Sequence, residues 1–181
     1  MGTISDRKGQ HAFVRAIDLL WRRYPALAAR ARFVLLGRRN TEFDTWLAGT
    51  VRATGRPNLD LHPETTDYLD YYQAADAFAC SSYEESSPRV VLEAMAMGVP
   101  ILASAVHGIP EMVRPDLEAR LVPAGDTVAW CEALAELLAN PAAGRDLAAR
   151  ARARVVTEFE AAVALPRHLA LLAQTAATRV T

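Results

Sequence analysis

The chain has 181 residues, of which 51% are hydrophobic and 23% charged, and its formal net charge is −1. This composition is typical of a soluble globular domain with a sizeable core. The near-neutral charge argues against a protein that binds nucleic acid or anionic membranes through its overall charge, but leaves a local anion site open. Because there is no signal peptide and no apolar run of about 20 residues, the sequence predicts a cytoplasmic protein.

Short β-rich segments alternate with helical patterns along the chain. Residues 1–4 read as the tail of a strand, and further strands are predicted at 31–37, 58–62, 76–81, 100–106 and 119–125. Helices are predicted at 8–25, 41–55, 67–75, 87–98, 126–140, 142–160 and 167–177. Pro166 predicts a break or kink before the last of them.

Several helix ends carry residues that favour capping. Thr41, Ser87 and Asp126 are expected N-caps, because their side-chain oxygens can accept hydrogen bonds from the free N–H groups of a first turn. Pro88 is expected at the first helical position of its helix. Gly98 is expected to end that helix, since glycine adopts the left-handed conformation of a C-terminal cap.

The alternation predicts one α/β domain over residues 1–181, with a Rossmann-like parallel sheet and helices on both faces. In open sheets of this kind, ligands bind at the carboxyl ends of the strands. The loops that deserve inspection are therefore 4–9, 37–41, 62–67, 81–88 and 105–113.

The two cysteines give no sign of a metal site or a disulfide. Cys80 and Cys131 lie far apart, without the spacing of metal ligands. The sequence therefore predicts two reduced thiols in the core and no bound metal.

The loop at 4–9 concentrates positive charge between a strand end and a helix start. Arg7 and Lys8 lie there, and Lys8 is the only lysine among 20 basic residues. Free backbone N–H groups at such a position suit a phosphate. The loop is neither a Walker A motif nor GxGxxG, and two solvated surface charges are an equally simple interpretation.

A carboxylate interrupts an otherwise apolar helix. Glu93 is the only charged residue of VVLEAMAMG, which reads as buried on every other side, and a desolvated carboxylate needs a partner or a function. Glu85 precedes it by eight positions, so both acids could face one crevice and accept hydrogen bonds from the hydroxyls of a ribose or hexose. Alternatively, Arg89 pairs with Glu93 one turn away, or the two acids are unrelated.

The loop after the next strand, VHGIPEMV, contains a second candidate. Gly108 would permit a ligand to approach the backbone closely, although a plain turn explains it equally well. His107 is a lone histidine, and the pattern does not assign it to catalysis.

These segments together resemble a known family. Residues 83–113, YEESSPRVVLEAMAMGVPILASAVHGIPEMV, resemble the signature of the retaining GT-B-fold glycosyltransferases, the glycosyl transferases group 1, which include glycogen and sucrose-phosphate synthases. The family pattern is a Glu, seven residues, a second Glu in LEAMA, then G-x-P, a strand and G-G-x-P-E. The upstream GTISDRKGQ resembles the phosphate-binding opening of that family, so the resemblance covers nearly the whole chain.

The resemblance implies the C-terminal, donor-binding half of a GT-B fold. Its substrate would be a UDP-, GDP- or ADP-sugar, used without a metal or other cofactor. Glu85 would contact hydroxyls of the transferred sugar and Lys8 the diphosphate, which makes these two the expected catalytic residues. Glu93 would bind the ribose hydroxyls. The other expected donor contacts are Arg7, Ser86, Ser87, Arg89 and Gly108.

The chain departs from the family pattern at three places. Thr3 stands where many members have an arginine, so one phosphate contact is missing unless Arg7 replaces it. Ser87-Pro88 stands where phenylalanine or proline and glycine often occur, which puts the sugar selectivity in question. His107 replaces the first glycine of G-G-x-P-E and could project towards the sugar.

The resemblance also implies an N-terminal acceptor domain, which we expect to be absent from these 181 residues. We therefore expect the chain to bind a nucleotide weakly and to transfer no sugar by itself. The acceptor stays open between a glycan, a lipid and a small molecule, and a complete enzyme could attach to the inner face of the membrane. Two alternatives are a non-catalytic nucleotide-sugar binding module and a sugar-nucleotide epimerase of similar fold. Nucleic acid is not an expected partner.

Overall fold

The computed structural model describes residues 4–178, with side chains through Thr175. The strands of this part are β1 (Phe33–Arg38), β2 (Leu59–Pro63), β3 (Phe78–Cys80), β4 (Ile101–Ser104) and β5 (Arg120–Val122). Its α-helices are α1 (Gln10–Arg23), α2 (Pro25–Ala28), α3 (Glu42–Thr54), α4 (Tyr68–Ala74), α5 (Arg89–Met97), α6 (Ile109–Met112), α7 (Thr127–Ala139), α8 (Pro141–Arg154) and α9 (Ala161–Thr178). A 3-10 turn at Asp6–Lys8 and a π-helical turn at Val155–Phe159 complete the list.

All strand pairs are parallel, as predicted. β1 pairs with β2 from Phe33 opposite Leu59 onward. β4 lies between β3 and β5, with Leu102 opposite Ala79 on one side and Arg120 on the other. Because the parallel strands of one sheet end at the same edge, the loops after β3, β4 and β5 lie along one edge of their sheet, and those after β1 and β2 lie along one edge of theirs.

Helices cover both faces of the larger sheet, and β4 shows this directly. Its four residues are all buried, and successive side chains point to opposite faces. Leu102 belongs to the core formed with α1 and α7, whereas Ile101 and Ala103 belong to the core formed with α5 and α8. The predicted fold class is therefore confirmed.

Two predicted N-caps are confirmed and one is wrong. The Thr41 side chain and Asp44 form a capping box at the start of α3, and Asp126 accepts hydrogen bonds from the first turn of α7. Ser87 is not an N-cap: Pro88 occupies that position with an extended backbone, and α5 begins at Arg89 without a side-chain cap. Proline forces the residue before it away from helical angles, which delays the helix by one residue.

The predictions for the two ends of the chain have different outcomes. The expected strand at residues 1–4 falls mostly outside the described residues, and Ile4 is buried but lies outside any strand. The described strands form two sheets, β1-β2 and β3-β4-β5, instead of one. At the other end, α9 continues through Pro166, and the chain turns instead at Glu160, where the backbone is extended.

Between residues 4 and 178, no helix is both long enough and apolar enough to cross a bilayer.

Candidate functional site

The loop at 4–9 is fixed by a close contact with the end of β3. After the 3-10 turn, Gly9 takes a left-handed conformation with φ of 66°, which favours glycine. A Cβ atom at Gly9 would lie 2.1 Å from the Ser81 carbonyl oxygen, so a larger residue cannot fit. The Ser81 hydroxyl also donates a hydrogen bond to the Lys8 carbonyl oxygen at 3.1 Å. These contacts hold Lys8 beside the loop that follows β3.

Lys8 and Glu85, the two expected catalytic residues, lie in direct contact. The Lys8 ammonium is 2.5 Å from Glu85 Oε1, and the Ser82 hydroxyl donates to the same oxygen at 2.7 Å. The Glu85 side chain is only 8% exposed and that of Lys8 18% exposed. We call these two residues the Lys8–Glu85 pair. Burial of the carboxylate is offset by a charge-assisted bond and a hydroxyl donor.

A cavity of about 310 Å³ opens at this pair. Its lining residues are Arg7, Glu84, Glu85, Ser86 and His107. Arg7 is exposed, and its guanidinium donates to the Glu84 carbonyl oxygen at 3.1 Å. The structure therefore places an exposed guanidinium and a buried carboxylate at one cavity, at the carboxyl end of β3.

Gly108 permits a close approach, but the approaching group belongs to the protein. Its N–H donates to the Glu85 carbonyl oxygen at 3.0 Å, and a Cβ atom there would lie 1.7 Å from the Ser86 carbonyl oxygen. Gly108 thus fixes the loop that carries Glu85. The neighbouring His107 is exposed and has a positive φ of 42°. Glycine adopts this conformation more readily than histidine does, so the backbone at His107 is strained.

Glu93 does not lie in a helix that is buried on all sides, so this expectation is wrong. Val91, Ala94 and Met95 form the buried face of α5, whereas Glu93 is half-buried and Arg89 is exposed. The sequence of α5 did not predict this solvent-exposed side, because alanine and methionine occur on both the buried and the exposed face of the helix. Ser87 and Arg89 lie exposed at the start of the helix.

Tyr72, on α4, is a hydrogen-bond partner of Glu93. Its hydroxyl lies 3.2 Å from Glu93 Oε2 and 3.1 Å from the Val90 carbonyl oxygen. Burial, and then the nearby Glu93 carboxylate, raise the pKa of Tyr72. A neutral Tyr72 is therefore a hydrogen-bond donor that stabilises and orients the Glu93 carboxylate.

Sequence reasoning missed both Ser82 and Tyr72. Ser82 lies three positions before Glu85 in a run of polar residues, where nothing distinguishes it from Ser81 or Ser86. Tyr72 is one of three tyrosines in DYLDYYQAA, and only its burial, with 7% exposure, separates it from Tyr71. Contacts between distant segments decide both roles, and no local spacing reveals them.

A larger cavity, of about 480 Å³, lies away from all predicted site residues, along α1 and α3. Three arginines line it, Arg15, Arg22 and Arg56. Asp18 neutralises part of this charge, since its carboxylate is bonded to Arg22 at 2.6 Å and to Arg56 at 2.8 Å. We call this the α1–α3 cavity.

Comparison with known proteins identifies the family. The family of glycosyl transferases group 1 matches residues 1–140. D-inositol 3-phosphate glycosyltransferase from Salinispora tropica is 39% identical over 153 residues, which cover 80% of this chain and 31% of that protein. The chain thus spans about a third of the length of the curated relatives that it matches first.

Two solved structures show the fold. The C-terminal domain of the glycosyl transferase group 1 family protein LpcC from Francisella tularensis has a TM-score of 0.76 and 22% identity, covering 89% of this chain and 84% of that domain. HepE from Anabaena, solved in complex with UDP, has a TM-score of 0.84 and 20% identity, covering 97% of this chain and 47% of that one. The chain belongs to the glycosyl transferases group 1 and is a C-terminal domain of the GT-B fold.

Proposed function

We propose that this domain binds the nucleoside-diphosphate sugar of a retaining glycosyltransferase, which transfers the sugar to an acceptor hydroxyl. The observation that carries this proposal is the Lys8–Glu85 pair at the mouth of a cavity at the carboxyl end of β3. A cation for a diphosphate and a carboxylate for sugar hydroxyls are the two groups that such a donor needs. The UDP complex of HepE, a protein of the same fold, agrees with a nucleotide donor.

The diphosphate would be held by charge and by backbone amides. Lys8 is the principal cation, and Arg7 lines the same cavity. Backbone N–H groups of the segment at 86–89, at the start of α5, add donors; Pro88 contributes none. These groups need no metal to neutralise the diphosphate, so we propose a metal-independent site.

The two carboxylates would bind different hydroxyls of the donor. Glu85 lines the cavity beside Lys8 and would accept hydrogen bonds from the transferred sugar. Glu93 lies on α5, oriented by Tyr72, and would accept from the ribose hydroxyls. An ionised carboxylate accepts without donating, which suits a pair of neighbouring hydroxyl groups.

In the complete reaction, the C–O bond between the sugar and the diphosphate breaks, a bond to the acceptor oxygen forms, and the proton of the acceptor hydroxyl passes to the leaving diphosphate. Negative charge grows on the leaving diphosphate, and Lys8 with Arg7 would stabilise it in the transition state. Glu85 would hold the anomeric carbon in position for attack. The acceptor and its binding site belong to parts of the enzyme beyond this domain, so we expect donor binding but no sugar transfer from the isolated chain.

The direct test is a calorimetric titration of the chain with UDP, GDP and ADP. We expect one base to bind best, and Lys8→Ala to weaken that nucleotide by about 10-fold or more, as expected for a charged hydrogen bond. Glu93→Gln should weaken it as well. Arg15→Ala is the matched control: it removes one exposed positive charge in the α1–α3 cavity, so it should leave the affinity within about 2-fold.

The proposal fails if the folded wild-type chain binds none of the three nucleotides, or if Arg15→Ala weakens binding as much as Lys8→Ala. The second result would show that the nucleotide affinity depends on the total positive charge of the protein and not on the proposed donor site. Sugar transfer by the isolated chain, measured with a nucleotide sugar and released nucleotide as the readout, would contradict the division of labour between domains.

A further inference from the structure

We propose that Ser82 is a positioning residue that holds Glu85 in place when a donor is bound; this inference rests on the proposed donor site. Ser82 is 2% exposed and follows β3 by two residues. Its hydroxyl donates to Glu85 Oε1 at 2.7 Å, the same oxygen that lies 2.5 Å from the Lys8 ammonium. Both bonds fall on one oxygen, and we assign the other, Oε2, to the sugar hydroxyls.

The need for Ser82 arises because Lys8 has two tasks. In this structure, Lys8 neutralises the buried Glu85 carboxylate. A diphosphate carries more negative charge than a carboxylate, so it attracts the Lys8 ammonium more strongly. Lys8 has a long, flexible side chain that can turn towards it. Glu85 would then lose its cation while it is still 8% exposed.

A buried carboxylate without a donor is costly and would rotate out of its position. Ser82 cannot follow the diphosphate, because its side chain is short and its backbone is fixed at the end of β3. The Cys80 thiol lies 3.7 Å from the Ser82 hydroxyl. Burial raises the pKa of this thiol, so it stays neutral and does not compete with the Glu85 carboxylate as a charged acceptor for the Ser82 proton. Ser82 therefore keeps one donor on Oε1 in both the free and the bound state.

This assignment predicts a selective effect on the sugar. In Ser82→Ala, UDP should bind as it does to the wild type, because the diphosphate contacts are intact and water in the empty sugar position can donate to Glu85, which lines the cavity. UDP-glucose should bind about 10-fold more weakly, as expected for the loss of a hydrogen bond to a charged group. The readout is the ratio of the two dissociation constants; if the wild type prefers another base, the diphosphate and glucose conjugate of that base are used.

Three further variants make the test specific. Ser82→Thr keeps the hydroxyl and should restore the wild-type ratio, and Ser82→Cys, with a weaker donor of similar size, should give an intermediate ratio. Ser104→Ala is the matched control, since Ser104 is another fully buried serine at a strand end, and its hydroxyl bonds to no group in the described part of the chain. It should leave the ratio unchanged. Thermal unfolding of each variant verifies that it is folded.

An unchanged ratio in Ser82→Ala overturns the inference while the proposed function stands. Equal weakening of UDP and UDP-glucose also overturns it, because that result assigns Ser82 to the stability of the loop. If the wild type binds neither ligand, the proposed function itself fails and the inference fails with it.

Discussion

Two independent constraints require glycine at position 9, directly after Lys8, the only lysine of the chain. Gly9 meets both of them. Its φ of 66° lies in the left-handed region, and its Cα faces the Ser81 carbonyl oxygen so closely that a Cβ atom would lie 2.1 Å away. Glycine is thus required at this point for the loop to bring Lys8 against Glu85.

We predict that Gly9→Ala destabilises the protein by about 2–5 kcal/mol, since the left-handed conformation costs alanine about 1–2 kcal/mol and forced overpacking about 1–3 kcal/mol. Gly49→Ala is the control, because Gly49 lies inside α3 and a Cβ atom there meets nothing within 4 Å. It should stabilise the protein by about 0.5–1 kcal/mol. Urea unfolding measures both, and equal effects of the two substitutions would contradict the account.

At the residue scale, sequence patterns predicted groups whose role depends on local spacing. Thr41 and Asp126 were assigned correctly as N-caps because capping involves residues two or three positions away. Lys8 and Glu85 were both predicted site residues, but their mutual contact joins segments 77 positions apart. Ser82 was missed because its role depends on its hydrogen bond to Glu85 Oε1, the oxygen that the distant Lys8 also contacts.

At the scale of elements, a buried carboxylate ties α8 to the segment before β5. Glu118 is fully buried, and its carboxylate accepts from the Arg114 side chain at 2.7 Å and from Arg154 on α8 at 3.0 Å. Burial alone would raise the pKa of Glu118, but hydrogen bonds from Arg114 and Arg154 outweigh it and lower this pKa. The ionised form therefore stabilises the folded state.

We predict that Glu118→Gln destabilises the protein at pH 7 by about 3 kcal/mol, because it removes the buried charge that both arginines bond and leaves Arg154, only 14% exposed, without its buried counter-charge. A carboxyl group whose pKa is lowered by folding contributes stability above its unfolded pKa of about 4.3, and this contribution is lost as pH falls through the folded value. The gap between wild type and variant should hence shrink below about pH 4.

The matched control is Glu158→Gln, since Glu158 also pairs with Arg154 but is 43% exposed. Its cost should stay below about 1 kcal/mol. Unfolding free energies of the three proteins between pH 3 and pH 7 give the result. A gap for Glu118→Gln that stays constant over this range would contradict the assignment.

Helix α9 differs from the core helices in how its leucines are placed. Leu165, Leu169, Leu171 and Leu172 are all 53–63% exposed, whereas Leu20 on α1 is fully buried. We predict that Leu20→Ala costs about 2–5 kcal/mol, while Leu169→Ala changes stability by less than about 0.5 kcal/mol. Denaturant unfolding distinguishes the two, and a comparable loss for Leu169→Ala would show that α9 is packed more tightly than this structure describes.

Element order was predictable because strands and helices have different apolar periods, and their alternation dictates a parallel sheet. Boundaries were less predictable. The start of α5 moved by one residue because Pro88 restricts Ser87. The open side of α5 was not predictable, since Ala96 is exposed and Ala94 buried although both are alanine.

At the scale of the whole molecule, the formal net charge is −1, but the two cavities are lined by different sets of charged residues. One cavity, at the carboxyl ends of the strands, combines Arg7 with Glu84 and Glu85. The α1–α3 cavity is larger and lined by three arginines. Charge and size alone would direct an anionic nucleotide to the α1–α3 cavity. The Lys8–Glu85 pair, the position at the carboxyl ends of the strands and the family membership favour the smaller cavity.

Amide chemical-shift mapping of the ¹⁵N-labelled chain during titration with UDP-glucose decides between the two cavities. We expect the largest shift changes at Lys8, Gly9, Ser86, Glu93 and Gly108, near the carboxyl ends of the strands, and nearly unchanged shifts for amides around the α1–α3 cavity. Saturable changes that cluster around the α1–α3 cavity instead would contradict the central claim that the Lys8–Glu85 pair marks the donor site.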